Sequence, residues 1–177
     1  KNMISAANIK KSELNNNNVE FFVEDILHLS RNFWNLADVV ICERLLINLP
    51  TWEDQKIAIK NICDILKPNG KLLLAEVTQE GHDHLNKLRA GFGLDKIKVH
   101  WHNLYLNEGE FLDYAGKYFK LLETIRYGMY HFISKVIHPL LVYPEEPSFD
   151  AKINKVARII ASKIPNFLDA SHQVIFI

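Results

Sequence analysis

Apolar residues recur at helical spacing through KNMISAANIKKSEL, residues 1 to 14, and stop at the asparagine run 15 to 18, a solvated turn. VEFFV, 19 to 23, is rich in β-forming residues and predicts a strand that runs out into EDILHLS. ADVVIC, 37 to 42, is nearly all apolar, the pattern of a strand covered on both faces, and predicts a central place in a sheet. The period then changes. In TWEDQKIAIKNICDILKPNG, Thr51 can cap a helix, Ile57, Ile59, Ile62, Ile65 and Leu66 form its apolar stripe, and Pro68 and Gly70 end it. KLLLAEV, 71 to 77, reads as another buried strand, so strand, helix and strand describe one right-handed crossover of a parallel sheet.

Beyond it, HDHLNKLRAGF and EGEFLDYAGKYF predict helices, and HWHNLYL is ambiguous between an aromatic loop and a short strand. FKLLETIRYG, 119 to 128, and SHQVIFI, 171 to 177, read as strands. Between them, YHFISKVIHPLL and AKINKVARIIASKI carry helical patterning around the loop YPEEPSFD, too long for a hairpin and read as a helical insertion or cap over about 129–168. The expected fold is α/β and Rossmann-like: a mostly parallel sheet flanked by helices, with an antiparallel last strand and the insertion before it. A length of 177 residues with 48% hydrophobic content suits a single domain.

Charge narrows the partners. With 21 basic and 21 acidic residues, no overall field draws the chain to nucleic acid or an anionic membrane, so a small-molecule partner is expected. Cys42 and Cys63 lie in apolar stretches without metal or redox spacing, which fits a reducing, cytoplasmic compartment. No window has the roughly 18 uninterrupted apolar residues of a membrane span.

In an open parallel sheet, ligands bind beyond the carboxyl ends of the strands. The residues there are polar: Glu24, Asp25 and Ile26 after the first strand, Glu43 and Arg44 after the second, and Glu76 at the end of the third. An acidic side chain beside an apolar one suits an adenine ring, the carboxylate accepting from the exocyclic amine while the aliphatic group packs on the ring face. Asp25 with Ile26 has that form, although Asp25 could simply cap a turn, and Glu43 with Arg44 could be a surface pair worth little energy.

EDILHLS, ADVVIC and IKNICDILKPNGKLLLAEV together resemble the later motifs of class I S-adenosylmethionine-dependent methyltransferases. In that family a strand ends in an acidic residue facing the adenine, a central strand ends near the methionine moiety, and a helix leads through an LKPGG-like turn into the next strand. Asn69 stands at one of the turn's glycines, a mild departure because asparagine tolerates a positive backbone angle. KNMISAA is similar to the segment after the family's second strand, which would set Met3 beside the ribose and adenine; by itself Met3 reads as a core residue. The family's glycine-rich loop is not found in residues 1 to 177, and GFG at 91 to 93 follows a helix rather than a strand, so that loop is expected upstream of Lys1.

The resemblance implies S-adenosylmethionine as cofactor, with Met3, Asp25, Ile26, Cys42 and Glu43 as its contacts. It also implies methyl transfer to a small-molecule or saccharide-type acceptor, reached by Arg44, Tyr105, Arg126 and His131. A hydroxyl acceptor would profit from a histidine base, and His100 and His102 in HWHNLY are the expected catalytic residues. HWH and HDH also invite a metal, but no cysteine or close carboxylate completes a tetrahedron, and none is expected. A Rossmann-like interaction module without cofactor binding is the alternative.

Overall fold

The computed structural model describes residues 2 to 165, 167 and 171 to 177. Helix α1 (Asn2–Glu13) leads through the asparagine turn into an extended segment. Strand β1 (Ala37–Glu43) is followed by helix α2 (Trp52–Ile65), strand β2 (Leu66–Val77) and helices α3 (Gln79–Gly91) and α4 (Glu108–Ala115). Strand β3 (Thr124–Arg126) comes next. The short helix α5 (Gly128–Phe132), a π-helical turn (Ile133–Ile137) and α6 (His138–Val142) continue one another, and α7 (Lys152–Ala161) precedes strand β4 (Gln173–Phe176).

The described sheet has the order β1-β2-β4-β3. β1 and β2 are parallel, with Glu43 opposite Ala75; β4 runs antiparallel to β2 and to β3. Three strands therefore point one way and β4 the other, the mostly parallel sheet with an antiparallel last strand that the patterning predicts. The α2 crossover forms because Thr51 accepts from the Asp54 amide at its start and an apolar stripe faces the sheet. Cys42, Leu46, Ile59, Ile62, Leu74, Phe111, Val174 and Phe176 close a core between the sheet, α2 and α4. Each fully buried Leu, Ile or Phe side chain there contributes roughly 1.5–3 kcal/mol. Leu85 of α3 and Val136 of the π turn centre a second cluster.

The amino-terminal part departs from expectation in two places. Residues 19 to 23 are extended but form no strand, and Phe22 and Val23 are exposed: β-forming side chains do not make a strand without a neighbour to bond. β1, expected to be central, is an edge of the described sheet, with Val39 50% and Ile41 75% exposed. An unbroken apolar run was consistent with cover on both faces, yet only the face of Val40 and Cys42 packs into the core.

Topology places the insertion. The end of β3 and the start of β4 lie at the same end of the sheet as the carboxyl ends of β1 and β2, so the chain between them leaves and returns at that rim. Of the expected span 129–168, residues 166 and 168 lie outside the described residues.

Candidate active site

At the carboxyl end of β1 the chain turns sharply. Arg44 adopts a left-handed backbone (φ 51°), which costs a non-glycine residue on the order of 1 kcal/mol, and its amide still donates to Ala75 O at 2.9 Å. The turn is held from below by Glu76, fully buried, whose Oε1 accepts from the Leu46 amide at 2.7 Å. Burial pushes the Glu76 carboxyl up to about 7, against the pull of the Leu45, Leu46 and Ile47 amides and the Arg44 charge. Gln55, also buried, donates to Leu46 O at 3.0 Å and to Leu104 O at 2.9 Å, tying this turn to the loop that precedes α4.

Four rings from four places in the sequence meet at the rim. His82 stands in the first turn of α3, Tyr105 in the loop bridged to Thr78 through Leu106, His131 on α5, and His172 just before β4. The His82 ring lies 5.1 Å from Tyr105 and 5.3 Å from His172; His172 lies 5.6 Å from Tyr105 and 5.9 Å from His131. His82 Nδ1 and His172 Nε2 are 3.3 Å apart, and His131 Nδ1 is 3.1 Å from Tyr127 O. Burial lowers all three histidines. His131 falls to about 4 and His172 to about 3, the latter also through the charges of His131, His82, Lys135 and Arg44, so the cluster is neutral at pH 7.

Among the expected acceptor residues, Tyr105 and His131 both border His172, and the Arg44 charge acts on Tyr105 and His172. Arg126 is engaged elsewhere: its guanidinium donates to both oxygens of Glu108, at 3.0 and 2.5 Å, and Thr78 Oγ1 donates to the same carboxylate at 2.7 Å. Burial alone would raise Glu108, but the bonds from Arg126 and Thr78 outweigh it and hold its carboxyl low. His100 and His102 stand apart on an exposed loop, stacked on one another at 5.7 Å beside a fully solvated Trp101.

The expected cofactor residues also separate. Asp25 is exposed and caps a 3-10 turn (Ile26–His28), accepting from the Leu27 amide at 2.9 Å and pairing with His28, whose bond and the Leu27 amide hold its carboxyl low. Ile26 packs on the core edge, its carbonyl accepting from Asn61 Nδ2. Glu43 is exposed at the mouth of β1, whereas the Cys42 thiol faces the core under α2, where burial and Glu76 push it up to about 12. Met3 is exposed on α1.

Sequence reasoning weighed His82 only as a metal ligand within HDH, and passed over His172. The signal was present: His82 follows β2 and His172 precedes the last strand, and an antiparallel strand starts where its parallel neighbours end. Among the described residues, no group of His, Cys, Asp and Glu has the geometry of a metal site.

The sequence model of a methyltransferase-domain family matches residues 1–110. The chain belongs to this methyltransferase-domain family. S-adenosylmethionine is the cofactor that membership implies. No curated protein matches the chain. Among solved structures, the PH0226 protein of Pyrococcus horikoshii OT3 is similar with a TM-score of 0.55 at 19% identity, over 71% of this chain and 62% of that one. The cyclase SpnF is similar with a TM-score of 0.59 at 15% identity, over 98% of this chain and 61% of that one. MccD gives 0.55 at 13%, over 99% and 73%. These likenesses show the Rossmann-like fold, and the chain spans about three fifths of the length of the first two structures. One of these folds serves a cyclase, so the fold alone does not fix the reaction.

One feature among the described residues matches the adenine end of this cofactor in chemical type: the Asp25 carboxylate stands beside the aliphatic Ile26, on the turn that Asn61 of α2 bonds through Ile26 O. None of the described glycines opens a loop between a strand and a helix; Gly81 sits inside the first turn of α3, where a Cβ would meet Ser171 O at 2.1 Å. No described helix is long and apolar enough to cross a membrane.

Proposed function

We propose that this methyltransferase domain transfers a methyl group from S-adenosylmethionine to a small-molecule or saccharide-type acceptor held under the helical insertion. The observation that carries the reading is convergence. Tyr105, His82, His131 and His172 come from four separate elements or loops and meet, within reach of the Arg44 charge, at the one end of the sheet where open α/β folds bind ligands.

When bound, the cofactor supplies a methyl already activated by its sulfonium, so the chain's task is alignment and exclusion of water. Asp25 and Ile26 contact the adenine, Glu43 borders the donor end, and Met3 packs against the ribose side. Arg44 faces the acceptor, and the α5–α7 segment, which leaves and returns at this rim, lies beside it. The neutral charge of the chain and the helical cover favour a small acceptor over nucleic acid.

Calorimetric titration of the intact protein with S-adenosylhomocysteine tests the reading. Micromolar binding is expected, weakened about tenfold by Asp25→Ala, the worth of one charge-assisted hydrogen bond. No heat from the intact protein sinks the cofactor assignment, and unchanged affinity in the variant removes Asp25 from the site. The second reading, an interaction module without cofactor, draws on the exposed Val39 and Ile41 of β1. Absence of heat would favour it.

A further inference from the structure

The rim cluster has a defined pattern of donors and acceptors. Asn86 Oδ1 accepts from the Ile97 amide at 2.8 Å, which fixes the orientation of that side-chain amide. Its Nδ2 then donates to Ile97 O at 3.1 Å and to His82 Nε2 at 2.9 Å. A neutral imidazole that accepts at Nε2 carries its proton on Nδ1, so His82 donates from Nδ1 to His172 Nε2. By the same step His172 carries its proton on Nδ1, which has no partner among the described residues. His131 is fixed independently: Tyr127 O can only accept, so His131 Nδ1 bears the proton and Nε2 keeps a free lone pair. One ring thus offers a donor and its neighbour, 5.9 Å away, an acceptor.

We propose that His131 and His172 form a hydroxyl-reading pair, in which the acceptor's O–H donates to His131 Nε2 and its oxygen accepts from His172 Nδ1–H. An amine or thioether acceptor matches this pattern poorly: a thioether has no proton to donate, and an amine that accepts from His172 has no second lone pair left for the new bond, whereas a hydroxyl oxygen has two. The inference rests on the methyl-transfer reading and names the class of its acceptor. In the transfer, the remaining oxygen lone pair forms the new bond to the methyl carbon, the carbon–sulfur pair returns to sulfur, and the hydroxyl proton passes to His131 Nε2. A weak base suffices, because an O-methylated hydroxyl that still holds its proton is a very strong acid. His131 is a catalytic residue in this scheme; Asn86 and His82 are positioning residues that set the tautomer of His172.

Nitrogen-15 NMR of the intact protein tests the pattern without any acceptor, since protonated and bare ring nitrogens differ widely in shift. His82 and His172 are expected as Nδ1–H tautomers with bare Nε2, and His131 likewise. Phenol and methyl glucoside then serve as aromatic and sugar hydroxyl probes, with anisole as the analogue that can accept but not donate. A saturable shift at His131 Nε2 and His172 Nδ1 with one hydroxyl probe, at least tenfold weaker with anisole and abolished by His172→Phe, is the expected result, and the responding probe identifies the source. An Nε2–H tautomer at either ring, no response to both hydroxyl probes, or equal response to phenol and anisole overturns the proposal. Titration with S-adenosylhomocysteine on the same sample separates the failures: lost hydroxyl discrimination with cofactor heat retained removes this inference alone, and lost heat removes the methyl-transfer reading.

Discussion

Glu76 shows how one residue couples the turn at Arg44 to solvent pH. Its Oε1 bonds the Leu46 amide while Oε2 finds no partner among the described residues, so the carboxylate form is buried at a cost. The sign follows from its protonation: the folded state holds the proton more tightly than the unfolded chain, raising the carboxyl from 4.5 to about 7. Stability therefore falls as pH rises between those values and stays reduced above them, by roughly 3 kcal/mol in full. Glu76→Gln is expected to unfold at higher urea than the parent at pH 8.5, by about 1–2 kcal/mol after the loss of a charge-assisted bond, and the gap should shrink towards pH 6. A variant less stable than the parent at pH 8.5 would show that the charged form holds the turn more strongly than burial opposes it. The sequence placed Glu76 at the end of its strand; only the fold shows that it serves a backbone turn.

Among the elements, α3 is the one whose position fixes His82 and Asn86. Glycine at its third residue is a poor helix former, and alanine would ordinarily gain about 1 kcal/mol. Here a Cβ on Gly81 would lie 2.1 Å from Ser171 O, a backbone atom next to His172. Steric repulsion outweighs propensity, and Gly81→Ala is expected to lose about 3 kcal/mol or more in chemical unfolding; a neutral or stabilised variant would mean that α3 and the start of β4 are less closely packed. Nothing in EGHDHLNKLRAGF announces this, because the clash is with a residue about 90 positions away. The opposite failure occurs at 19 to 23, where local composition predicts a strand and the missing ingredient is a neighbour. α2, by contrast, was legible at its cap, Thr51, and along most of its length, since those signals are local; it stops at Ile65, earlier than expected, and Leu66, Pro68 and Gly70 stand in β2, where pairing with β1 draws the chain straight into the strand.

At the scale of the molecule, the histidine cluster sets the acid limit. His131, lowered to about 4, and His172, lowered to about 3, are each more easily protonated in the unfolded chain, so stability rises with pH across the interval from those values to about 6.5 and is lost as pH falls through it. The groups that bear on His172 are His131, His82, Lys135 and Arg44, all of which disfavour its charged form. Since the three rings share one site, their losses are not additive, but several kcal/mol are expected to disappear between pH 6.5 and pH 4. His172→Phe should be relatively more stable than the parent at pH 5 than at pH 7.5, with its acid-unfolding midpoint moved down; parallel acid transitions would mean that the ring stays solvated.

The sequence by itself determined what depends on neighbours along the chain: the strand, helix, strand crossover, the helical nature of the insertion, the caps, and the resemblance that the family match then bore out over residues 1–110. It also singled out Arg44, Tyr105 and His131, because strand ends and loop aromatics can be counted. Tertiary structure decided which of these meet. The register of β4 against β2 brings His172 to His82, and the return of the insertion to the same rim brings His131 to His172. A hydrogen-bonded ring cluster with members up to 90 residues apart is a property of strand order and direction, and neither is written in local periodicity.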